Sequence, residues 1–160
     1  MSEHRRRVER AMRILAGQMP YLLANVWEPE PGLAWFGLPW SKPQHHWVRM
    51  HVEALQICSA VIAYQQAAQA GEAPTRRAWV DLVGQGIQAA CRSHVSDGSL
   101  ILPSTNGPWG CEWQSAWWAY KLLRAAYNLR AELPAAVWQA VREVVETEAD
   151  RFPGTIPPTG

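Results

Sequence analysis

The sequence has almost no excess charge of either sign. It contains 15 Lys and Arg residues against 14 Asp and Glu residues, so its formal net charge is +1 over 160 residues. Apart from Arg5, Arg6 and Arg7 the basic residues are dispersed, which does not provide the basic surface that binds a phosphate backbone or an anionic bilayer. We therefore expect neither a nucleic-acid partner nor a membrane partner.

Long apolar runs are also missing. The most apolar segment, residues 52–70, is interrupted by glutamines, whereas a membrane-spanning helix needs about 18 or more apolar residues in succession. Residues 1–15 are charged and lack the apolar stretch and small-residue cleavage site of a secretory signal. The sequence therefore predicts a soluble protein in the cytoplasm.

Motifs for metals and cofactors are not visible. The three cysteines, Cys58, Cys91 and Cys111, have spacings that match no metal-binding motif. Cys58 and Cys91 lie on apolar helical faces, which is typical of buried thiols. His45 and His46 are adjacent and diverge by about 100° on a helix, and His51 follows five residues after His46. A zinc pair on one helix face is normally spaced by four, so we predict loop and capping contacts for these histidines, no metal site and no cofactor.

Apolar residues recur at intervals of three and four in five segments, a pattern typical of amphipathic helices. The predicted helices cover residues 2 to 17–20, 46–70, 75–94, 112–130 and 134–152. Prolines exclude a continuous helix in residues 20–45, residues 95–111 form a second long loop, and residues 153–160 form an irregular tail. We predict a single all-α domain over residues 1–160, built from antiparallel helical hairpins.

The predicted connections alternate between long and short. In an antiparallel arrangement this alternation brings both long loops and the tail to the same end of the molecule, and binding residues concentrate in such loops. Tryptophan is abundant, with 10 residues against 2 phenylalanines, and Trp109 and Trp113 lie at the junction of the second loop and the fourth helix. Both are candidates for stacking on a ligand, whereas Trp117, Tyr120 and Tyr127 are predicted to lie in the core.

Two strings in the last third of the chain carry a resemblance. Residues 108–129 contain WQSA at 113–116 and WA at 118–119, and residues 141–152 end in EADRF. These strings resemble an uncharacterised bacterial group related to (α/α) toroid proteins of the heparinase and alginate lyase type. The resemblance implies the N-terminal portion of a ring of helical hairpins, whose open faces would be covered by a second copy or a missing C-terminal toroid half. A self-contained five-helix bundle is the alternative.

The resemblance implies a carbohydrate-handling protein with an oligosaccharide ligand. A polysaccharide lyase needs a base and a group that neutralises a carboxylate, and a glycosidase needs two carboxyl groups. The candidates for catalysis are His45, His46 and Glu112. The candidates for substrate binding are Trp47, Asn106, Trp109, Trp113, Gln114, Asp150 and Arg151. The pattern leaves open whether the protein is an enzyme, a sugar-binding remnant, or a non-catalytic helical domain that pairs with a second chain or copy.

Overall fold

A computed structural model describes residues 2–37, 44–68, 73–102, 107–111 and 113–151, except the side chains of residues 44–46, 66–68 and 73–75. Within these ranges the chain forms five helices and one two-stranded antiparallel sheet. The elements are α1 (Glu3–Ala24), β1 (Val26–Trp27), β2 (Trp35–Phe36), α2 (Gln44–Ala68), α3 (Ala73–Arg92), α4 (Ser115–Asn128) and α5 (Ala135–Asp150). The fold is therefore all-α, as the sequence pattern predicts.

The first helix is longer than predicted. It passes through Pro20 and ends at Ala24, so the predicted end at residues 17–20 is wrong. A proline inside a helix removes one hydrogen bond, but Met19 and Leu22 on either side of it pack onto the core. The helix therefore continues past the proline with apolar residues on both sides of it in contact with the core. The sheet also places regular structure inside residues 20–45, which were predicted to form a loop.

Helix α2 lies at the centre of the fold. It packs against α1, α3 and α4, and α5 covers the other side of α3 and α4. The core between these helices contains fully buried aliphatic side chains, among them Val52, Leu55, Val83, Ile87, Leu122, Val141 and Val144. The described helices thus form one continuous hydrophobic core.

The buried thiols agree with the sequence pattern. Cys58 and Cys91 are buried free thiols, whereas Cys111 is exposed. Burial raises the pKa of both buried thiols to about 12, which keeps them protonated and unreactive. Among the described residues there is no group of three or more His, Cys, Asp and Glu side chains able to hold a metal ion. Nor does any helix in the described ranges combine the length and apolarity that bilayer crossing requires.

The described parts of the two long connections are joined by a second buried cluster, whereas the predicted tail, residues 153–160, lies outside the described residues. This cluster joins residues from the first connection, the start of α2, the end of α3 and the second connection: Leu33, Trp35, Trp47, Ala89, Leu100 and Leu102. An ion pair between Arg92 Nη1 and Glu30 Oε2, at 2.8 Å, links the same two regions at the surface. The helix ends and connections near this cluster are therefore held in fixed relative positions.

His51 fastens the short sheet to the helices. Its Nδ1 accepts a hydrogen bond from the Phe36 N–H at 2.9 Å, and its Nε2–H donates to the Gly86 carbonyl oxygen at 2.9 Å. The ring stacks on Trp35 with the centroids 3.9 Å apart. These contacts, with β2 and α3 and not with a loop or a helix cap, make His51 a neutral structural residue.

The buried His51 predicts acid sensitivity. Burial, opposed by the hydrogen bond to Gly86, lowers its pKa from 6.5 to about 3. Below pH 6.5 the unfolded chain therefore binds a proton that the native state does not, and stability falls with pH until the native pKa is reached. We expect His51 to account for a loss of about 3 kcal/mol in the free energy of unfolding between pH 7 and pH 4.

Urea denaturation at a series of pH values measures this effect. His51→Gln is the matched variant, because an amide keeps one donor and one acceptor but does not titrate. Its free energy of unfolding should decrease less than that of the wild type between pH 6.5 and pH 4. Equal pH dependence in the two proteins would contradict the assignment.

Candidate functional site

The predicted catalytic residues are not assembled within the described structure. His45 and His46 lie in the first turn of α2, but their side chains are outside the described residues. Glu112 and the predicted binding residue Asn106 also lie outside them. The described structure therefore places neither a base nor a carboxyl group from this set.

Two of the tryptophans predicted to bind substrate are core residues. Trp47 and Trp109 are each 2% exposed. The Trp109 indole N–H donates to the Ala90 carbonyl oxygen at 2.9 Å, with the Ser93 hydroxyl at 3.1 Å, and the ring meets Trp118 edge-on. Neither Trp47 nor Trp109 presents a ring face to solvent, so neither belongs to an accessible site in this structure.

A row of exposed aromatic side chains runs along one face of α4 and the turn before it. The exposed fractions are 86% for Trp113, 53% for Trp117, 51% for Tyr120 and 54% for Tyr127. We call these four residues the aromatic row. At a rise of about 1.5 Å per residue, its helical part from Trp117 to Tyr127 is about 15 Å long.

The prediction that Trp117, Tyr120 and Tyr127 lie in the core is wrong. The opposite face of α4 is buried instead, and it carries Trp118 together with smaller residues: Ser115, Ala119, Leu122, Ala125 and Ala126. Both faces of α4 are rich in apolar residues. Helical periodicity therefore identifies two apolar stripes but does not show which of them is buried. The signal that could have decided is Arg124, a charged residue in the outward stripe.

Positive charge accompanies the aromatic row. Arg124 is exposed at the helical position between the last two members of the row. The Lys121 Nζ lies 4.5 Å from the ring centroid of Trp117, and the guanidinium of Arg130 lies 4.6 Å from that of Tyr127. Both geometries are favourable cation–π contacts. The row is therefore an aromatic surface with an exposed arginine within it and two cationic groups against its rings, of which Lys121 is also paired with Glu53 at 2.9 Å.

A shallow apolar groove borders the row. It lies between α4 and α5, has a volume of about 230 Å³, and is lined by Ala116, Ala119, Tyr120, Leu123, Val145, Glu148 and Ala149. Tyr120 belongs to both the groove and the row. The exposed surface of α4 is therefore continuous with an apolar depression.

A buried polar network lies beneath the N-terminal end of the row. Its centre is the carboxylate of Glu148, which is 2% exposed. Its Oε1 accepts hydrogen bonds from His94 Nε2–H at 3.2 Å and from the Cys111 N–H at 2.9 Å. Its Oε2 accepts the Ser115 hydroxyl at 2.5 Å and lies 3.5 Å from Arg151 Nη2. One carboxylate thus joins the end of α3, residues 107–111, α4 and α5.

The network holds a carboxylate anion beside a neutral imidazole. Burial by itself would raise the pKa of Glu148, but the hydrogen bonds from Ser115, Cys111 and His94 and the charge of Arg151 lower it below its usual value. Burial lowers the pKa of His94, against the opposing effect of Glu148. Its Nδ1 accepts the backbone N–H of residue 96 at 3.1 Å, which leaves Nε2–H as the donor.

Ser115 is not arranged as a nucleophile. Its hydroxyl is buried and donates to Glu148, and it accepts a hydrogen bond from Arg151 Nη1 at 3.0 Å. An activated serine requires a base beside an accessible hydroxyl. The geometry therefore makes the network a structural support for the row above it.

The other predicted binding residues lie close to this support. Gln114 is the N-cap residue of α4, without a side-chain capping hydrogen bond. Arg151 belongs to the network, and Asp150 is an exposed residue at the end of α5. Among the predicted binding residues that the structure describes, Trp113 alone belongs to the aromatic row. The sequence reasoning missed Trp117, Tyr120 and Tyr127 because it assigned them to the core.

Comparison of the chain with protein-family models, with curated proteins and with solved structures gives no match. The resemblance to toroid proteins therefore stays a prediction.

Proposed function

We propose that this protein binds an oligosaccharide along the aromatic row of α4. The observation that carries the proposal is the exposure of four large aromatic side chains on one face, each more than half accessible. A contiguous exposed apolar patch is typical of a surface that binds a partner or a ligand. The apolar C–H faces of sugar rings stack on such side chains, and the helix presents them in a line that suits a chain of sugars.

The polar groups of the row favour an acidic oligosaccharide. Arg124 is exposed within the row, and Lys121 and Arg130 lie against two of its rings. Guanidinium groups bind carboxylates and sulfates through paired hydrogen bonds, and tyrosine hydroxyls both donate to and accept from sugar hydroxyls. An acidic sugar chain also agrees with the resemblance to proteins of the heparinase and alginate lyase type.

Tryptophan fluorescence titrated with oligogalacturonate tests the proposal. Trp113→Ala and Trp117→Ala should each weaken binding about five- to tenfold, because an aromatic contact contributes about 1 kcal/mol. Tyr21→Ala is the matched control, since Tyr21 is an exposed aromatic residue on α1. If the row variants bind as the wild type does, or if the wild type binds no saccharide, the sugar proposal is to be abandoned.

A comparison of two ligands tests the charge preference. Arg124→Gln should weaken binding of oligogalacturonate several-fold and leave binding of a neutral glucose oligosaccharide of equal length unchanged. Added salt should have the same selective effect on the wild type, because salt screens exposed charges. An equal loss for both ligands would show that Arg124 acts through shape alone.

The second candidate function is pairing with another copy of the chain. Helix α5, which forms one side of the apolar groove, carries the exposed acidic residues Glu143, Glu146 and Asp150 on its outer surface. Helix α1 has the complementary surface, with apolar Ile14 and Tyr21 and basic Arg6, Arg10 and Arg13 all exposed. The docking of α1 from one copy onto the groove of another would join different surfaces head to tail.

Sedimentation velocity distinguishes the two candidates. Pairing predicts association that increases with protein concentration, weakens with salt, and is lost in Leu123→Asp, because this substitution places a charge in the groove. A monomer at all concentrations would eliminate the pairing candidate. Association that persists unchanged in Leu123→Asp would eliminate this groove as the docking surface.

A further inference from the structure

Trp113 is the most exposed member of the aromatic row. The residues two positions before it and two positions after it both donate hydrogen bonds to the carboxylate of Glu148. The Cys111 N–H donates to Glu148 Oε1 at 2.9 Å, and the Ser115 hydroxyl donates to Glu148 Oε2 at 2.5 Å. The indole itself is 86% exposed, so its own packing contributes little to its position. Its position must therefore come from the backbone at residues 111 and 115.

The backbone before Trp113 adopts conformations that need external support. Cys111 has a φ of 57°, which is costly for a residue other than glycine, and it follows Gly110, whose φ of 127° is accessible to glycine. The Trp109 N–H donates to the Ser93 carbonyl oxygen at 2.9 Å, which fixes the segment on one side. On the other side, the hydrogen bond from Cys111 to Glu148 holds it in place.

We infer that Glu148 is a positioning residue that sets the orientation of Trp113 at the end of the aromatic row. Replacement of the carboxylate by an amide leaves one acceptor oxygen where Cys111 and Ser115 now have two, and it removes the negative charge that faces Arg151. The turn that carries Trp113 then changes position, while the remainder of the row stays on α4. The structural part of this inference stands alone, and its ligand-binding part rests on the proposed function.

Fluorine NMR of protein labelled with 5-fluorotryptophan tests the structural part. Trp113→Phe and Trp118→Phe assign two of the signals from the 10 tryptophans. In Glu148→Gln we expect the Trp113 signal to shift towards that of free fluorotryptophan and to narrow, while the signal of the buried Trp118 keeps its position. Glu146→Gln is the control, since Glu146 is exposed on the same helix and pairs with Arg142.

Two outcomes would overturn the inference. One is an unchanged Trp113 signal in a folded Glu148→Gln variant. If that variant does not fold, Ser115→Ala is used instead, because it removes one of the two hydrogen bonds to Glu148 and retains the carboxylate. The second contradicting outcome is an unchanged Trp113 signal in Ser115→Ala. A general loss of stability would instead move the signals of Trp113 and Trp118 together.

A double-mutant cycle with oligogalacturonate tests the ligand-binding part. Glu148→Gln and Trp113→Ala should each weaken binding five- to tenfold, and the double variant should bind no more weakly than Trp113→Ala. Additive losses would show that Glu148 acts independently of Trp113 and would overturn the positioning role in binding. If the wild type does not bind the oligosaccharide, the proposed function fails while the NMR result still decides the positioning role.

Discussion

Replacement of Glu148 by leucine is expected to lower the free energy of unfolding by about 3–5 kcal/mol. Leucine fills a similar volume but cannot accept the hydrogen bonds from His94, Cys111 and Ser115. Buried donors that lose their acceptor keep the full penalty of removal from water, and the negative charge that faces Arg151 is removed. Urea denaturation at pH 7, followed by circular dichroism, measures the change.

The matched control is Glu146→Leu. Glu146 is exposed on the same helix and forms an ion pair with Arg142 one turn away, so its removal should change stability by about 0.5 kcal/mol or less. A comparably small loss in Glu148→Leu would show that the buried network contributes little to stability.

The pH dependence of the Glu148 contribution follows from its lowered pKa. Because the native pKa lies below the value of 4.5 for an unperturbed glutamate, the stabilisation is complete above that pH. It is lost as the pH falls through the native pKa. The difference in stability between wild type and Glu148→Leu should therefore be constant near neutral pH and decrease below about pH 4.5.

Replacement of Gly110 by alanine is expected to destabilise the protein by about 4 kcal/mol, from backbone strain and overpacking together. Gly110 has a φ of 127°, and a Cβ there would lie 2.7 Å from both His94 Nε2 and Val95 Cγ2. The His94 ring cannot move aside without weakening its hydrogen bond to Glu148. Urea denaturation measures the loss, and a new chemical shift of the His94 ring protons reports the displacement.

Gly17→Ala is the control for the glycine substitution. Gly17 lies in α1, and a Cβ there would have no neighbour within 4 Å. Alanine should stabilise the protein at this helical position by about 0.5–1 kcal/mol. If Gly110→Ala proves as stable as the wild type, the close approach of residues 107–111 to His94 is not present in solution.

The buried network supports the backbone at the N-terminal end of the aromatic row. The row needs rings that project into solvent, where their own packing is weak, so its N-terminal member depends on the backbone that carries it. A carboxylate with donors from several elements supplies that support. The proposed ligand surface therefore borders a buried polar network.

Local sequence signals predicted the helices because their causes are local. Intervals of three and four place apolar residues on one helix face, and glycine and proline mark most of the interruptions. The alternation of long and short connections predicted that both long connections and the tail lie at one end, and a buried cluster that includes Leu33, Trp47 and Leu102 joins the described parts of the two connections. The continuation of α1 through Pro20 was not predictable in this way, because it depends on the burial of Met19.

The sequence by itself determined the all-α class, the approximate positions of five helices, and the concentration of aromatic residues around the start of α4. Only the tertiary structure decided which face of α4 is buried, because α2 and α5 pack against the face with small side chains. Only the tertiary structure also joined Glu148 to His94, 54 residues away, and to Cys111, 37 residues away. Such contacts have no local periodicity, since they arise from chain segments that meet only after the helices have packed.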